Sequence, residues 1–134
     1  GHTCVNLAVD PNRLYMFGGN NLQGGQLFQD TWSLDTETSQ PAWTRIADSG
    51  FAPSPRWHHS CVSIQHRLML FGGEDRNCDA LGDLHVFSTE SSRWVDLRGT
   101  GIGFDGPAPR HLHAAVGLGQ LNMLLIGGKI CTEA

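Results

Sequence analysis

The stretch Leu68-Met69-Leu70-Phe71-Gly72-Gly73 ends an apolar run on a pair of glycines, and the chain contains this pattern three times. The other copies are Leu14-Tyr15-Met16-Phe17-Gly18-Gly19 and Met123-Leu124-Leu125-Ile126-Gly127-Gly128, so successive glycine pairs lie 54 and 55 residues apart. A short run that is apolar on both sides is typical of a strand buried between neighbouring sheets. The paired glycines permit backbone angles or close contacts that a side chain would block. The pattern therefore predicts a repeating unit with one fully buried strand in each copy.

Other residues recur with nearly the same period and in the same order. Pro55-Arg56 returns as Pro109-Arg110, Asp30 as Asp83, Trp43 as Trp94, and His2 as His59 and then His113. These landmarks divide each repeat into four short strands: one bearing the His, the apolar run, one beginning at the Asp, and one holding the Trp. No window shows a sustained helical period. Four-stranded sheets that cannot bury both faces alone predict an all-β radial array.

Composition supports a globular β-rich chain and argues against nucleic-acid and membrane partners. Of the 134 residues, 40% are hydrophobic, 16% are charged and 17 are glycine, a balance that favours short strands over long helices. The formal net charge of −4 provides no basic surface for nucleic acid. No apolar run approaches the length of a membrane span.

The ordered landmarks resemble the kelch motif over essentially the whole chain. The resemblance rests on the order His, apolar-Gly-Gly, Asp-x-Trp or Asp-x-His, Trp, and Pro-x-Pro-Arg. Within it, Gly50-Phe51-Ala52-Pro53-Ser54-Pro55-Arg56 followed by Trp57-His58-His59 is similar to the phrasing of kelch proteins that lack a BTB domain. Those include F-box kelch proteins and host cell factor, whereas the Tyr-Asp-Pro of BTB-kelch third strands is absent. The resemblance implies propeller blades with the His strand innermost and the Trp strand outermost.

The fold class that follows is a partial kelch β-propeller, with two four-stranded antiparallel blades and the first two strands of a third. The blades are expected at about residues 1–56, 57–110 and 111–134. Propellers of this family close with roughly five to seven blades, so this chain alone cannot close a ring. Because an open array exposes unpaired edges and uncovered blade faces, we expect the segment to be marginally stable alone or to self-associate through those edges.

The cysteines are interpreted as packing residues. Cys4 and Cys61 occupy matching places in the repeat, and neither they nor Cys78 and Cys131 form a Cys-x-x-Cys pair. We expect reduced thiols that act as small core hydrophobes. Reduced thiols favour a cytoplasmic or nuclear location.

The recurring arginines and tryptophans each allow a structural reading. Arg56 and Arg110 could clamp a carboxylate or a peptide C-terminus through a bidentate bond. Because both stand at a landmark of the repeat, a blade-to-blade structural bond is favoured, with every donor satisfied. Trp43 and Trp94 are both expected to be buried wedges between sheets.

Two groups of residues contain side chains of the types that bind metals. His2, His59 and His113 lie on the innermost strands and could in principle converge on a metal. Adjacent blades do not bring such positions within coordination distance, so each ring is expected to bond a neighbouring backbone instead. The acidic segment 74–79 lacks the Asp-x-Asp-x-Asp-Gly pattern of a calcium loop, and it does not match the Glu, Asp and His steps of iron-using specifier proteins. We therefore expect no metal and no cofactor.

The sequence offers no set of residues that supports catalysis. Galactose oxidase shares this propeller architecture, but its chemistry needs copper with tyrosine and histidine ligands. Tyr15, the single tyrosine, lies within an apolar strand where packing is its natural role. No Gly-x-Ser-x-Gly elbow or pair of catalytic carboxylates is present. The chain is therefore predicted not to be an enzyme.

Binding is the better-supported class of function. In kelch propellers the loops that join strand two to strand three and strand four to the next blade emerge on one face. These are the long connectors here, and a rigid scaffold leaves such loops free to carry function. The candidate partner-binding residues are Asn20, Asn21, Asp75, Arg76, Asn77 and Phe104. The predicted function is a noncatalytic module for a protein or peptide partner, such as substrate recognition in a ubiquitin-ligase adaptor or a scaffold. The alternative is a propeller accessory to a catalytic domain elsewhere in the parent chain, as in the wybutosine-pathway methyltransferases.

Overall fold

The chain folds into antiparallel sheets whose strands follow one another in chain order. The computed structural model describes residues 1–21, 23, 25–47, 49–100, 105–120 and 122–130. The strands are β1 (Thr3–Leu7), β2 (Asp10–Asn20), β3 (Leu27–Asp35), β4 (Trp43–Ile46), β5 (Ser49–Gly50), β6 (Ser60–Ile64), β7 (Arg67–Phe71), β8 (Leu84–Ser88), β9 (Arg93–Asp96), β10 (Ala114–Leu118) and β11 (Asn122–Ile126). A single turn of 3-10 helix, Leu97–Thr100, is the one helical element among the described residues. The predicted all-β class is confirmed. In the described part of the chain, no helix has the length and apolarity required to cross a membrane.

Three sheets correspond to the predicted repeats. Blade 1 is the sheet β1-β2-β3-β4, blade 2 contains β6 to β9, and β10 pairs with β11 as the start of a third blade. The strands within each blade are antiparallel neighbours, as expected of a meander joined by short turns. In blade 1, the β2–β3 register shifts between Phe17 and Gly19, where Gly18 has φ 61°. A glycine is favoured there because this left-handed conformation carries no penalty without a Cβ atom.

Blade 2 has one strand more than expected. β5 pairs in parallel with β9, with Ser49 opposite Arg93 and Gly50 opposite Trp94. Residues 49–50 fall within the range expected for blade 1, about 1–56, but they pair with the last strand of blade 2. The connector after β4 crosses to the outer edge of blade 2, where pairing satisfies backbone groups that an edge strand would otherwise leave open.

Two packed interfaces hold the blades together, here named seam 1 and seam 2. Seam 1 joins blade 1 to blade 2 through Leu7, Tyr15, Phe17, Leu68, Leu70, Phe87 and Trp94. Seam 2 joins blade 2 to β10–β11 through Val62, Ile64, Met69, Phe71, Leu84, Ala115, Met123 and Leu125. Side chains alternate along a strand, so β7 sends Leu68 and Leu70 to seam 1 and Met69 and Phe71 to seam 2. The apolar second strand is therefore buried on both faces, as the sequence predicts.

Trp43 is not the buried wedge that was expected. Its exposure is 42%, against 3% for Trp94. Trp94 stands opposite Phe87 on the face of blade 2 that meets blade 1. Trp43 stands opposite Leu34 at the equivalent position of blade 1, on the face directed away from blade 2. No described blade covers that face, so the prediction fails for Trp43 and holds for Trp94.

The cysteines also differ from one another in burial. Cys61 packs against the seam 1 core, and burial raises the pKa of its thiol to about 12. Cys4 was also expected to pack, but it is exposed, as is Cys78. No disulfide joins these three described cysteines to one another. Cys131 lies outside the described residues.

Candidate binding face

The long connectors meet at one end of the blades, and backbone hydrogen bonds fix them there. Arg56 N–H donates to Phe28 O of blade 1 at 3.3 Å, and Trp57 N–H donates to Glu74 O of blade 2 at 3.2 Å. The same pattern repeats at the next crossing, where Arg110 N–H donates to the Leu81 carbonyl at 3.0 Å. We name this end the loop face; it comprises the described residues of segments 20–26, 51–58, 74–83 and 105–112.

The loop after the second glycine pair is organised by Asp75. Its Oδ1 accepts hydrogen bonds from the backbone N–H groups of Asn77 at 2.8 Å and Asp79 at 3.0 Å. Asp side chains that bond the backbone two residues on form turns of this kind. The Asp75 carboxylate is therefore committed to loop structure, while Arg76 and Asn77 extend into solvent.

The other predicted binding residues are distributed unevenly. Asn20 ends β2 and is half-buried. Asn21 closes its own loop, because its Oδ1 accepts from Gln26 N–H at 3.0 Å and its own N–H donates to Gln26 O at 3.1 Å. Phe104 lies outside the described residues. Of the predicted set, Asn21, Arg76 and Asn77 are exposed, and the Asn21 side chain is already bonded within its own loop.

Arg56 forms the structural bond that was favoured for it. Its guanidinium is fully buried and donates to both carboxylate oxygens of Asp83, each at 2.6 Å, and to Gly72 O at 3.0 Å. Burial alone would raise the pKa of the Asp83 carboxyl, but hydrogen bonds from Arg56 and His85 outweigh it and hold that pKa well below its usual range. Because the fork is filled by protein groups, Arg56 cannot clamp a partner carboxylate.

Arg110 repeats this arrangement only in part. Its Nε donates to Ala108 O at 3.1 Å and its Nη1 donates to Gly127 O at 3.0 Å. The Gly127 bond matches the Gly72 bond of Arg56, so both guanidinium groups support the glycine pair of their blade. Among the described residues, no carboxylate occupies the position that Asp83 holds for Arg56.

His59 and His113, two of the three inner histidines, bond side chains rather than the backbone groups that the sequence predicts. His59 Nε2 lies 2.8 Å from Thr3 Oγ1, and His113 Nε2 lies 2.7 Å from Ser60 Oγ. Each ring therefore reaches a hydroxyl on the innermost strand of the preceding blade. Burial, reinforced by the Arg56 guanidinium, lowers the pKa of His59 to about 3, so its ring is neutral at pH 7.

A second group of titratable residues on the loop face was missed by the sequence reasoning. His58, Glu74 and His111 bring their ring nitrogens and carboxylate oxygens within 4.8 Å of one another. His58 precedes the landmark His59 by one residue, and His111 precedes the landmark His113 by two residues. These two histidines belong to different blades. A search for recurring histidines therefore finds the three inner rings and passes over this cluster.

Stacked four-stranded blades with loops gathered at one end define a segment of a β-propeller. The family model for the KLHDC2/KLHL20/DRC7 Kelch-repeats domain matches residues 1–133, so the chain belongs to the kelch-repeat family. It is 31% identical over 123 residues to an F-box/kelch-repeat protein of Arabidopsis thaliana, a match that covers 87% of this chain and 25% of the relative. It is 33% identical over 121 residues to the Rab9 effector protein with kelch motifs of Homo sapiens, covering 88% of this chain and 30% of the relative.

A solved structure supports the fold. The chain superimposes on the structure of YjhT with a TM-score of 0.57 and 23% sequence identity, covering 83% of this chain and 30% of that one. Such a likeness shows the fold and nothing about activity. The chain spans between a quarter and a third of the length of the relatives named above.

Proposed function

We propose that this chain is a segment of a noncatalytic kelch propeller that binds a protein or peptide partner on its loop face. The observation that carries the proposal is the loop at 74–80, which Asp75 and backbone bonds hold in one shape while Arg76 and Asn77 remain exposed. A preorganised loop loses little conformational entropy on binding, so its exposed arginine can contribute most of its contact energy to affinity.

The finer proposal is substrate recognition for a ubiquitin-ligase adaptor or another scaffold in the cytoplasm or nucleus. It is supported by the similarity to a protein whose name joins an F-box to kelch repeats. The noncatalytic proposal is supported by the structural hydrogen bonds that the buried polar residues form. Arg56, Asp83 and His59 are buried charged or titratable groups, and all three bond each other or neighbouring blade atoms.

The test compares partner sets of the full-length protein carrying this chain. An Arg76→Ala/Asn77→Ala double variant removes exposed side chains and leaves Asp75 to hold the loop. We expect the captured set to lose at least one partner. The dissociation constant for that partner should rise about 30-fold, which is the effect of removing one arginine hot spot. Quantitative affinity capture followed by a titration with the identified partner provides the measurement.

The control removes similar groups from the opposite end of blade 2. An Arg93→Ala/Ser91→Ala double variant changes an exposed arginine and an exposed polar residue beside the β8–β9 turn. It should keep the whole partner set. If both double variants fold and keep the same partners with the same affinity, the loop at 74–80 is not a binding site.

A further inference from the structure

His58, Glu74 and His111 form a compact cluster at the point where seam 2 reaches the loop face. His58 Nδ1 lies 2.6 Å from Glu74 Oε1, and His111 Nδ1 lies 3.4 Å from Glu74 Oε2. The side chains of Glu74 and His111 are 7% and 11% exposed, and that of His58 is 30% exposed. The carboxylate is thus enclosed between two imidazoles, and solvent reaches the group from the His58 side.

The backbone holds each member of the cluster in place. Glu74 forms a β-bridge with Trp57, the residue before His58, and His111 forms a β-bridge with Lys129. The Leu112 N–H donates to His58 O at 3.1 Å, which ties the two histidine-bearing segments directly to each other. Such support is what a binding site needs if its side chains are to keep one geometry.

Seam 1 shows that the blade does not require these residues. The positions equivalent to His58, Glu74 and His111 there are Gly1, Asn20 and Trp57. They meet in space in the same way, since a Cβ atom on Gly1 would lie 3.0 Å from Trp57 Cβ and 3.3 Å from Asn20 Oδ1. The same geometry therefore carries glycine, asparagine and tryptophan at seam 1 and two histidines with a glutamate at seam 2.

The backbone conformation at His58 supports the same conclusion. His58 has φ 52° and Leu112, its counterpart one repeat later, has φ 56°. The left-handed conformation thus recurs at this position of the blade, where a residue with a side chain is strained. Placing a histidine there costs some stability, and in return it directs an imidazole toward Glu74.

We propose that His58, Glu74 and His111 bind a divalent transition-metal ion of the Zn²⁺ class through two imidazole nitrogens and one carboxylate oxygen. Two histidines and a glutamate are an established zinc ligand set, and imidazole selects against Mg²⁺ and Ca²⁺. Tetrahedral ligands about 2.0–2.1 Å from zinc stand roughly 3.3 Å apart. The two histidine–glutamate separations, 2.6 and 3.4 Å, bracket that value, and all three ligand atoms lie within 4.8 Å of one another. The open fourth position faces the solvent beside His58.

Such an ion would crosslink the third blade to blade 2. His111 belongs to the segment that leads into β10, whereas His58 and Glu74 belong to blade 2. Binding to the folded state alone raises stability by mass action, so zinc should strengthen seam 2.

The test uses the 134-residue chain without a purification tag, made metal-free by chelator dialysis. Isothermal titration with Zn²⁺ should show one site per chain with a micromolar or tighter dissociation constant. Saturating Zn²⁺ should raise Tm by about 5 °C or more. Titration with Co²⁺ should produce the visible absorption of a low-symmetry nitrogen and oxygen site.

Two kinds of variant make the result decisive. Glu74→Gln keeps the shape of the side chain and should weaken zinc binding about 100-fold or more, since even the outer partners of metal ligands are worth 10–100-fold. The triple variant His58→Gly/Glu74→Asn/His111→Trp copies seam 1, a set that this blade already accommodates. It should fold and lose the Zn²⁺-dependent rise in Tm.

Other results would overturn the proposal. Absence of zinc binding to the unaltered chain would show that the cluster is a glutamate hydrogen-bonded between two histidines and nothing more. Equal zinc affinity in the triple variant would place the ion elsewhere, for example at an exposed cysteine. The exposed His66→Gln variant is the matched control and should bind zinc as the unaltered chain does.

Discussion

Seam 1 and seam 2 are formed by equivalent surfaces of successive blades. They differ in the side chains that fill the part of the interface near the outer edge. Near the axis they are alike: His59 bonds Thr3 as His113 bonds Ser60, and the Gly19 and Gly73 N–H groups each donate to an arginine carbonyl at 3.0 Å. Farther out, Trp94 fills seam 1. At the corresponding place seam 2 has a slot of about 390 Å³, lined by Met69, Phe71, Leu84 and Pro107 among others.

The difference shows which strands carry which part of the interface. The inner half of a seam depends on the His strand, the glycine pair and the arginine that enters the blade, all of which are present at both seams. The outer half depends on the third and fourth strands, which supply the aspartate and the tryptophan. Substituting equivalent residues at the two seams should therefore show how much stability the inner half and the outer half of a seam each contribute.

The tryptophans should show the largest contrast. Trp94→Ala removes a side chain that contacts Phe17 and Phe87 at ring-centroid distances of 5.1 Å each, and should destabilise a complete propeller that carries this chain by roughly 3–5 kcal/mol. Trp43→Ala, at the matching position on an uncovered face, should cost about 1 kcal/mol or less. Urea unfolding followed by circular dichroism measures both. Equal losses would mean that Trp94 is not a wedge between blades.

The arginines should show the next largest contrast. Arg56→Met leaves the buried Asp83 carboxylate without its main partner and should cost about 3 kcal/mol, at the lower end for a broken buried pair. The lower end applies because His85 Nε2 still lies 2.9 Å from Asp83 Oδ2 and the methionine stem retains packing. Arg110→Met loses only bonds to carbonyls and should cost about 1 kcal/mol. An Arg56→Met/Asp83→Asn double variant should recover part of the loss; no recovery would contradict the assigned charge pairing.

Much of this fold could be predicted from the repeat alone. The glycine pairs located the buried second strands, and the recurrence of Arg56 indicated a structural bond before Asp83 was seen to accept it. Repetition is informative here because a residue that every blade needs recurs at every blade. The kelch motif adds the order of the strands from the axis outward.

What could not be predicted depends on neighbours that repetition does not encode. Trp43 and Trp94 are equivalent in sequence, yet only Trp94 has a described blade to pack against. β5 is two residues long and has no strand pattern of its own, so only its position beside β9 makes it a strand. The His58, Glu74 and His111 cluster joins residues from two blades with no linear spacing that signals a ligand set.

Acid should weaken seam 1 through His59. Its ring stays neutral in the folded chain down to about pH 3, whereas the unfolded chain takes up a proton near pH 6.5. The unfolded state therefore binds more protons between these values, and stability is complete above pH 6.5 and lost as pH falls below it. At pH 5 the loss from this one group is about 2 kcal/mol.

The matching measurement is urea unfolding at pH 7, 6 and 5. His59→Gln should flatten the dependence by about 2 kcal/mol over that range, while the exposed His66→Gln should retain it. Asp83 acts in a lower window: its depressed pKa supplies stability above about pH 4 that is lost as pH falls further. An unchanged slope in His59→Gln would show that the His59 ring becomes protonated without unfolding.

The smallest effect tests the polar bond at the outer half of seam 1. Trp94 Nε1–H donates to the fully buried Thr31 Oγ1 at 3.0 Å, whereas Leu84 occupies the position of Thr31 at seam 2. Thr31→Val keeps the shape but strands the indole N–H, and should cost about 1–2 kcal/mol. In a Trp94→Phe background, which has no such donor, the same change should be nearly neutral, so the double-mutant cycle should return a coupling of about 1 kcal/mol. A Thr31→Val cost that is the same in both backgrounds would assign the effect to packing around the threonine and remove the hydrogen bond from the account of what distinguishes the two seams.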